Sequence, residues 1–106
     1  MPEDARPWAA YLLECRGAVT YLGISPDPQA RLERHQAGKA ALHTRLNPPT
    51  ALVGVVWFAS RREAAVVERK LKKQPLTVKR AWFCALSATT PANPARLEDV
   101  VRLLGF

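Results

Sequence analysis

A chain of 106 residues holds one domain with one modest core. With 48% hydrophobic and 24% charged residues and no long apolar run, it reads as a globular protein without a membrane span. Sixteen Lys and Arg against nine Asp and Glu leave a net charge of +7. That excess biases the domain toward polyanions and makes nucleic acid the first candidate, although composition alone equally allows a basic surface that serves only solubility.

The N-terminal segment MPEDARPW lacks a basic stretch followed by an apolar one, so no signal peptide is expected and the cytoplasm is the expected compartment. Cys15 and Cys84 have no metal-type spacing and read as buried, reduced thiols, with a disulfide between them the alternative.

Trp8 to Glu14 and about Val19 to Ile24 read as two strands of a hairpin. Alternation puts Ala9, Tyr11, Leu13 and Cys15 on one face and gathers Val19, Tyr21 and Gly23 likewise. A three-residue loop, Cys15-Arg16-Gly17, sets Tyr11 directly opposite Tyr21. Ser25-Pro26-Asp27-Pro28 ends the second strand and starts a helix over about 28–37, with Ser25 or Asp27 as N-cap and Gly38 as its stop. The basic segment that follows, up to Asn47-Pro48-Pro49, reads as a loop.

The apolar run ALVGVVWFAS, residues 51–60, predicts a central strand buried on both faces. Ser60 and Glu63 form a capping-box pattern opening the helix RREAAVVERKLKKQ, which ends before Pro75. A helix over about 77–86 offers Trp82 and Phe83 to the core. After a small-residue linker, a short helix over 94–104 offers Leu97, Val100, Val101 and Leu104 to the same domain or to a partner. The fold class is therefore α+β, a small three-stranded sheet flanked by helices, with residues 1–86 as the main domain and 87–106 as linker and C-terminal helix packed on it.

Three side chains carry chemistry on their own terms. Arg31 and His35 lie four apart on one helix face. An arginine at the edge of a buried face can turn its planar fork into a cleft and grip a phosphate, or can simply be solvated. His35 can carry protons near neutrality, although helical histidines commonly sit at the surface or cap an end. Glu68 falls among Ala64, Val67 and Leu71, on an inward face where a carboxylate is costly unless it is ion-paired or binds metal. Around it run Arg61, Arg62, Arg69, Lys70, Lys72 and Lys73. With Arg16, Lys39 and Arg45 these form either a solvated surface or a track for phosphates.

The order Ala-Ala-Tyr at 9–11, Tyr-Leu-Gly at 21–23, Arg31, His35 and Glu68 resembles the GIY-YIG nuclease family, in its small single-domain bacterial branch, over roughly residues 8–80. The first motif departs from the family pattern, with Ala9-Ala10 for Gly-Ile, and Leu22 stands for Ile in the second. In the following segment Ala40 and His43 replace the usual glycine and tyrosine.

The resemblance implies an antiparallel three-stranded sheet and a metal-dependent endonuclease acting on DNA rather than RNA, on branched or nicked structures and in a DNA-repair setting. It implies Glu68 as the ligand of one Mg²⁺ or Mn²⁺, Arg31 as the phosphate-neutralising group, Tyr11 or Tyr21 as proton acceptor and His35 in support. A nucleic-acid-binding module that has lost cleavage is the alternative, and an interaction domain docking through its C-terminal helix is a third.

Overall fold

The computed structural model describes residues 6–17, 19–38 and 47–103. Strands β1 (Trp8–Cys15), β2 (Val19–Ser25) and β3 (Pro49–Phe58) form one antiparallel sheet in the order β2-β1-β3. Four helices follow this order in the chain: α1 (Pro28–Gln36) between β2 and β3, then α2 (Arg61–Leu71), α3 (Leu76–Ala85) and α4 (Leu97–Leu103).

The central strand is β1, and not the 51–60 run as its composition predicts. Seven of the eight β1 residues are buried, whereas β3 lies at an edge with exposed and half-buried positions throughout. The physical reason lies in its pairing. Register shifts beside Leu12/Leu13 and Glu14/Cys15 break the two-residue alternation of β3, so inward-facing positions change phase along the strand. An apolar run then arises without burial on both sides.

The hairpin register also differs from expectation. Cys15 pairs with Val19, so Cys15 belongs to the strand and not to the loop, and Tyr11 faces Gly23 while Leu13 faces Tyr21. The shift is two residues. It leaves both tyrosines on one face, as diagonal neighbours rather than a direct pair. Gly17, with φ 81°, supplies the left-handed turn.

The even face of β1 (Trp8, Ala10, Leu12) joins Leu22, Val56 and Phe58 under α2, α3 and α4. Ala64, Val67 and Leu71 from α2, Trp82 and Phe83 from α3, and Val100 from α4 complete this core. The apolar side of α4 is thus covered by its own domain at Val100 and Leu97; Leu104 lies outside the described residues, as does the Val101 side chain. Gly54 is needed here because a Cβ would stand 2.6 Å from Phe83 Cβ.

The odd face gathers Tyr11, Leu13 and Cys15 with Val19, Tyr21, Leu32, Leu52 and Val55 beneath α1. Cys15 is buried but Cys84 is exposed, and both are free thiols. The second cysteine departs from expectation because α3 turns Trp82 and Phe83 inward and leaves position 84 outside. No helix among the described residues is long and apolar enough to cross a membrane.

Candidate functional site

Strand β2 is an edge strand, and helices from both layers reach it. On one side, α1 begins where Asp27 caps it, accepting from Ala30 N at 3.1 Å, while Ser25 Oγ accepts from Asp27 N at 3.0 Å. Pro28 fills the first helical position, and the helix gives way to Gly38 at φ 73°. This start places Arg31 one turn in, beside β2, and His35 one turn further, beneath the sheet.

On the other side, Ser60 Oγ accepts from Glu63 N at 3.3 Å and lies 3.4 Å from Glu63 Oε2, opening α2. Burial of Ala64, Val67 and Leu71 then sets the rotation of α2 and leaves Glu68 at the rim, with 23% of its side chain exposed.

Where the layers meet, a cleft of about 300 Å³ is lined by Trp8, Tyr21, Gly23, Ile24, Ser25, Pro26, Arg31, Arg61 and Glu68. Tyr21, Arg31 and Glu68 come from three different elements and converge only here. Among the described residues, Arg31 Nε is buried with no hydrogen-bond partner, a polar atom held ready for an acceptor. Glu68 pairs with Lys72 at 3.7 Å, a loose contact with a lysine 56% exposed.

Tyr11 and His35 do not open into the cleft. Both are fully buried, with Tyr11 Oη 3.1 Å from His35 Nε2 in a hydrogen bond whose donor depends on the imidazole tautomer. The two tyrosines therefore do not share an opening, as the alternation alone would have it. Tyr11's ring lies over Gly23, where a Cβ would stand 2.5 Å from Tyr11 Oη and 3.0 Å from Tyr21 Cε1. Glycine at 23 is what lets the phenol pass.

Tyr21 and His35 rings lie 4.8 Å apart and Tyr11 and Tyr21 rings 6.3 Å apart, so the buried pair backs directly onto the cleft tyrosine. Burial pushes the Tyr11 hydroxyl above the usual tyrosine range. A hydrogen bond and charge from Arg31 oppose that shift, while Tyr21 and Glu68 add to it. Burial, then Arg31 and Arg34, lower His35, so it is a neutral imidazole at physiological pH.

The remaining cations divide. Lys72 sits beside Glu68, but Lys70 and Lys73 border a separate groove of about 320 Å³ with Val66, Arg69 and Gln74. Arg16 lies in the hairpin turn, about 17 Å along β1 from Tyr11 at the usual rise per residue. Lys39 and Arg45 lie outside the described residues. Among the cleft residues that escape the sequence reading are Trp8, taken only as a strand opener, and Arg61, taken only as one member of a charge run. The available signal was spacing, since Arg61 precedes Glu68 by seven residues, two helical turns on one stripe.

Among the described residues no cluster of three or more His, Cys, Asp or Glu stands ready for a metal. Glu68 alone fits a hard cation that keeps several waters and shares a phosphate oxygen, as Mg²⁺ does.

The family model of the GIY-YIG catalytic domain matches residues 7–80. A UPF0213 protein of Cupriavidus necator is 40% identical over 86 residues, covering 81% of this chain and 94% of the relative. Another, from Xanthomonas axonopodis pv. citri, is 37% identical over 98 residues, covering 92% and 96%. The solution NMR structure of a UPF0213 protein from Bacillus halodurans superposes with a TM-score of 0.48 at 29% identity, covering 77% of this chain and 87% of the other.

Proposed function

The chain belongs to the GIY-YIG family of nucleases, and from that premise we propose that it hydrolyses phosphodiester bonds in DNA, with one Mg²⁺ or Mn²⁺ ion, at the Tyr21–Arg31–Glu68 cleft. The observation that carries the proposal is the convergence of a phenol, an orphaned guanidinium nitrogen and a half-buried carboxylate on one opening.

Arg31 receives a non-bridging oxygen of the scissile phosphate on its unpartnered edge, and neutralises charge that builds as the bond breaks. Tyr21, as its phenolate, takes the proton of the attacking water, since it alone of the three titratable rings lines the cleft. Tyr11, kept protonated by burial, is unsuited to that role. Together with neutral His35 it instead holds the Tyr21 ring from behind. Glu68 would hold the cation, which supplies Lewis-acid stabilisation of the phosphate and leaving oxygen. The net charge of +7 favours the polyanionic substrate over the whole surface.

The test is cleavage of labelled linear, flapped, branched and RNA substrates with and without Mg²⁺ or Mn²⁺. Wild type is expected to cut DNA only with metal. Glu68→Gln and Arg31→Ala are expected to lose at least about a hundredfold in rate, the scale of removing one transition-state contact, while melting within about 1 kcal/mol of wild type. Metal-independent cutting, or a Glu68→Gln enzyme at full rate, overturns the assignment. Oligonucleotide binding with no cleavage under any metal would favour the binding-module reading, whose support is the Ala9-Ala10 departure in the first motif.

A further inference from the structure

Helix α2 carries three stripes. Ala64, Val67 and Leu71 enter the core, while Val66, Arg69 and Lys70 border the separate groove. Arg61 and Glu68 line the cleft. Arg61 is exposed, yet it has a fixed seat: its guanidinium carbon lies 5.4 Å from the centroid of the Trp8 indole. Trp8 is itself only 9% exposed, anchored in the apolar core and forming part of the cleft wall.

A guanidinium on an aromatic face keeps its N–H edge free for an anion, and the ring reduces the side-chain freedom lost on binding. The location is also unfavourable for the helix alone. Arg61 is the first residue of α2, where the positive end of the helix dipole disfavours a cation and favours an anion. A phosphate in the cleft relieves that conflict.

We propose that Arg61, seated on Trp8, grips a backbone phosphate of the bound strand beside the scissile one. Arg61 on α2 and Arg31 on α1 thereby hold the substrate from the two layers that meet at the β2 edge. This subsite rests on the reading of the cleft as a nucleic-acid site, and it names the contact that sets the strand's position in it.

The experiment measures binding of labelled single-stranded and duplex oligonucleotides in EDTA across a salt series, for wild type, Arg61→Ala, Arg61→Lys, Trp8→Phe and Arg62→Ala. Arg62 is the internal control. It is adjacent, equally charged and exposed, and it is not among the cleft residues. Arg61→Ala is expected to weaken binding about tenfold and reduce the salt slope on duplex by about one. Arg62→Ala should change affinity by no more than about twofold, as an exposed, screened charge outside the cleft does. Arg61→Lys should recover the slope but only part of the affinity, because the planar fork is lost. Trp8→Phe should keep the slope and weaken binding less than Arg61→Ala.

Equal effects of the Arg61→Ala and Arg62→Ala changes would reduce Arg61 to bulk charge and overturn the subsite. Absence of any wild-type binding in EDTA would overturn the subsite, while the nuclease reading stands or falls by cleavage with Mg²⁺ or Mn²⁺. Arg61-dependent binding by a protein that cuts nothing with Mg²⁺ or Mn²⁺ would leave the subsite standing and remove only the nuclease reading. Thermal melts of each variant confirm that the compared proteins are folded.

Discussion

The two faces of β1 do different work with the same strand. On the even face Trp8, Ala10 and Leu12 meet three helices in an apolar core. On the odd face Tyr11 crosses Gly23 to reach His35, and a buried polar pair backs onto the cleft. The even face is held by area and close packing, while the odd face adds to its apolar cluster the buried Tyr11–His35 hydrogen bond and the contact of Tyr11 with Arg31. Stability and chemistry are thus separated by one residue's step along a strand, and each face should fail in its own way.

The largest expected effect is on the even face. Phe58→Ala removes a fully buried ring stacked 6.3 Å from Trp82 and should cost about 3–5 kcal/mol, read from denaturant unfolding. Tyr11→Phe keeps the ring and strands His35 Nε2, so it should cost only about 1–2 kcal/mol. If the two losses were equal, the contrast between the faces would collapse.

Glycine substitutions sharpen it further. At position 54 a Cβ meets Phe83 Cβ, an atom tied to the α3 backbone, so Gly54→Ala must shift a helix and should cost about 2–3 kcal/mol. At position 23 it meets the far end of a phenol, so Gly23→Ala should cost about 1–2 kcal/mol. Per folded molecule, however, Gly54→Ala should retain substrate binding while Gly23→Ala, which displaces Tyr11 and crowds Tyr21, should impair it.

A third test is pH. Burial lowers His35 below its reference value of 6.5, so the unfolded chain takes up the proton first and stability falls as pH drops below that value. Burial raises Tyr11 above 10.0, so the unfolded chain ionises first and stability falls as pH rises beyond 10. His35→Gln should flatten the acidic limb of a stability profile and Tyr11→Phe the alkaline limb. Phe58→Ala should lower the profile without changing either limb. The smallest effect belongs to Lys72→Ala, whose exposed pairing with Glu68 should be worth at most about 0.5 kcal/mol in thermal melts.

Local rules made much of the chain legible. The hairpin face, the Asp27 cap with Pro28, the Ser60–Glu63 cap and the inward positions of α2 all follow from chemistry within a few residues, and the structure contains them. The candidate residues Tyr21, Arg31 and Glu68 were legible too, through the motif order and one misplaced carboxylate. Tyr11 and His35 were legible as candidates through the same motif order, but their burial behind the cleft was not. Nothing local says that a histidine facing a tyrosine 24 residues away will be sealed from water.

The sequence by itself determined which residues cap, turn and alternate, because those energies act over one helical turn or one strand pair. Only the tertiary structure decided that β1 rather than the apolar 51–60 run takes the middle of the sheet, since strand order depends on non-local pairing and on the register shifts that leave β3 half-exposed. It alone put Arg61 on Trp8, 53 positions apart in the numbering, and set the hairpin register two residues from the simplest pairing. A two-residue shift leaves every side chain on its own face, so the hydrophobic pattern cannot distinguish the alternatives. What distinguishes them is whether Tyr11 has a glycine to cross, and that is a property of the folded pair of strands.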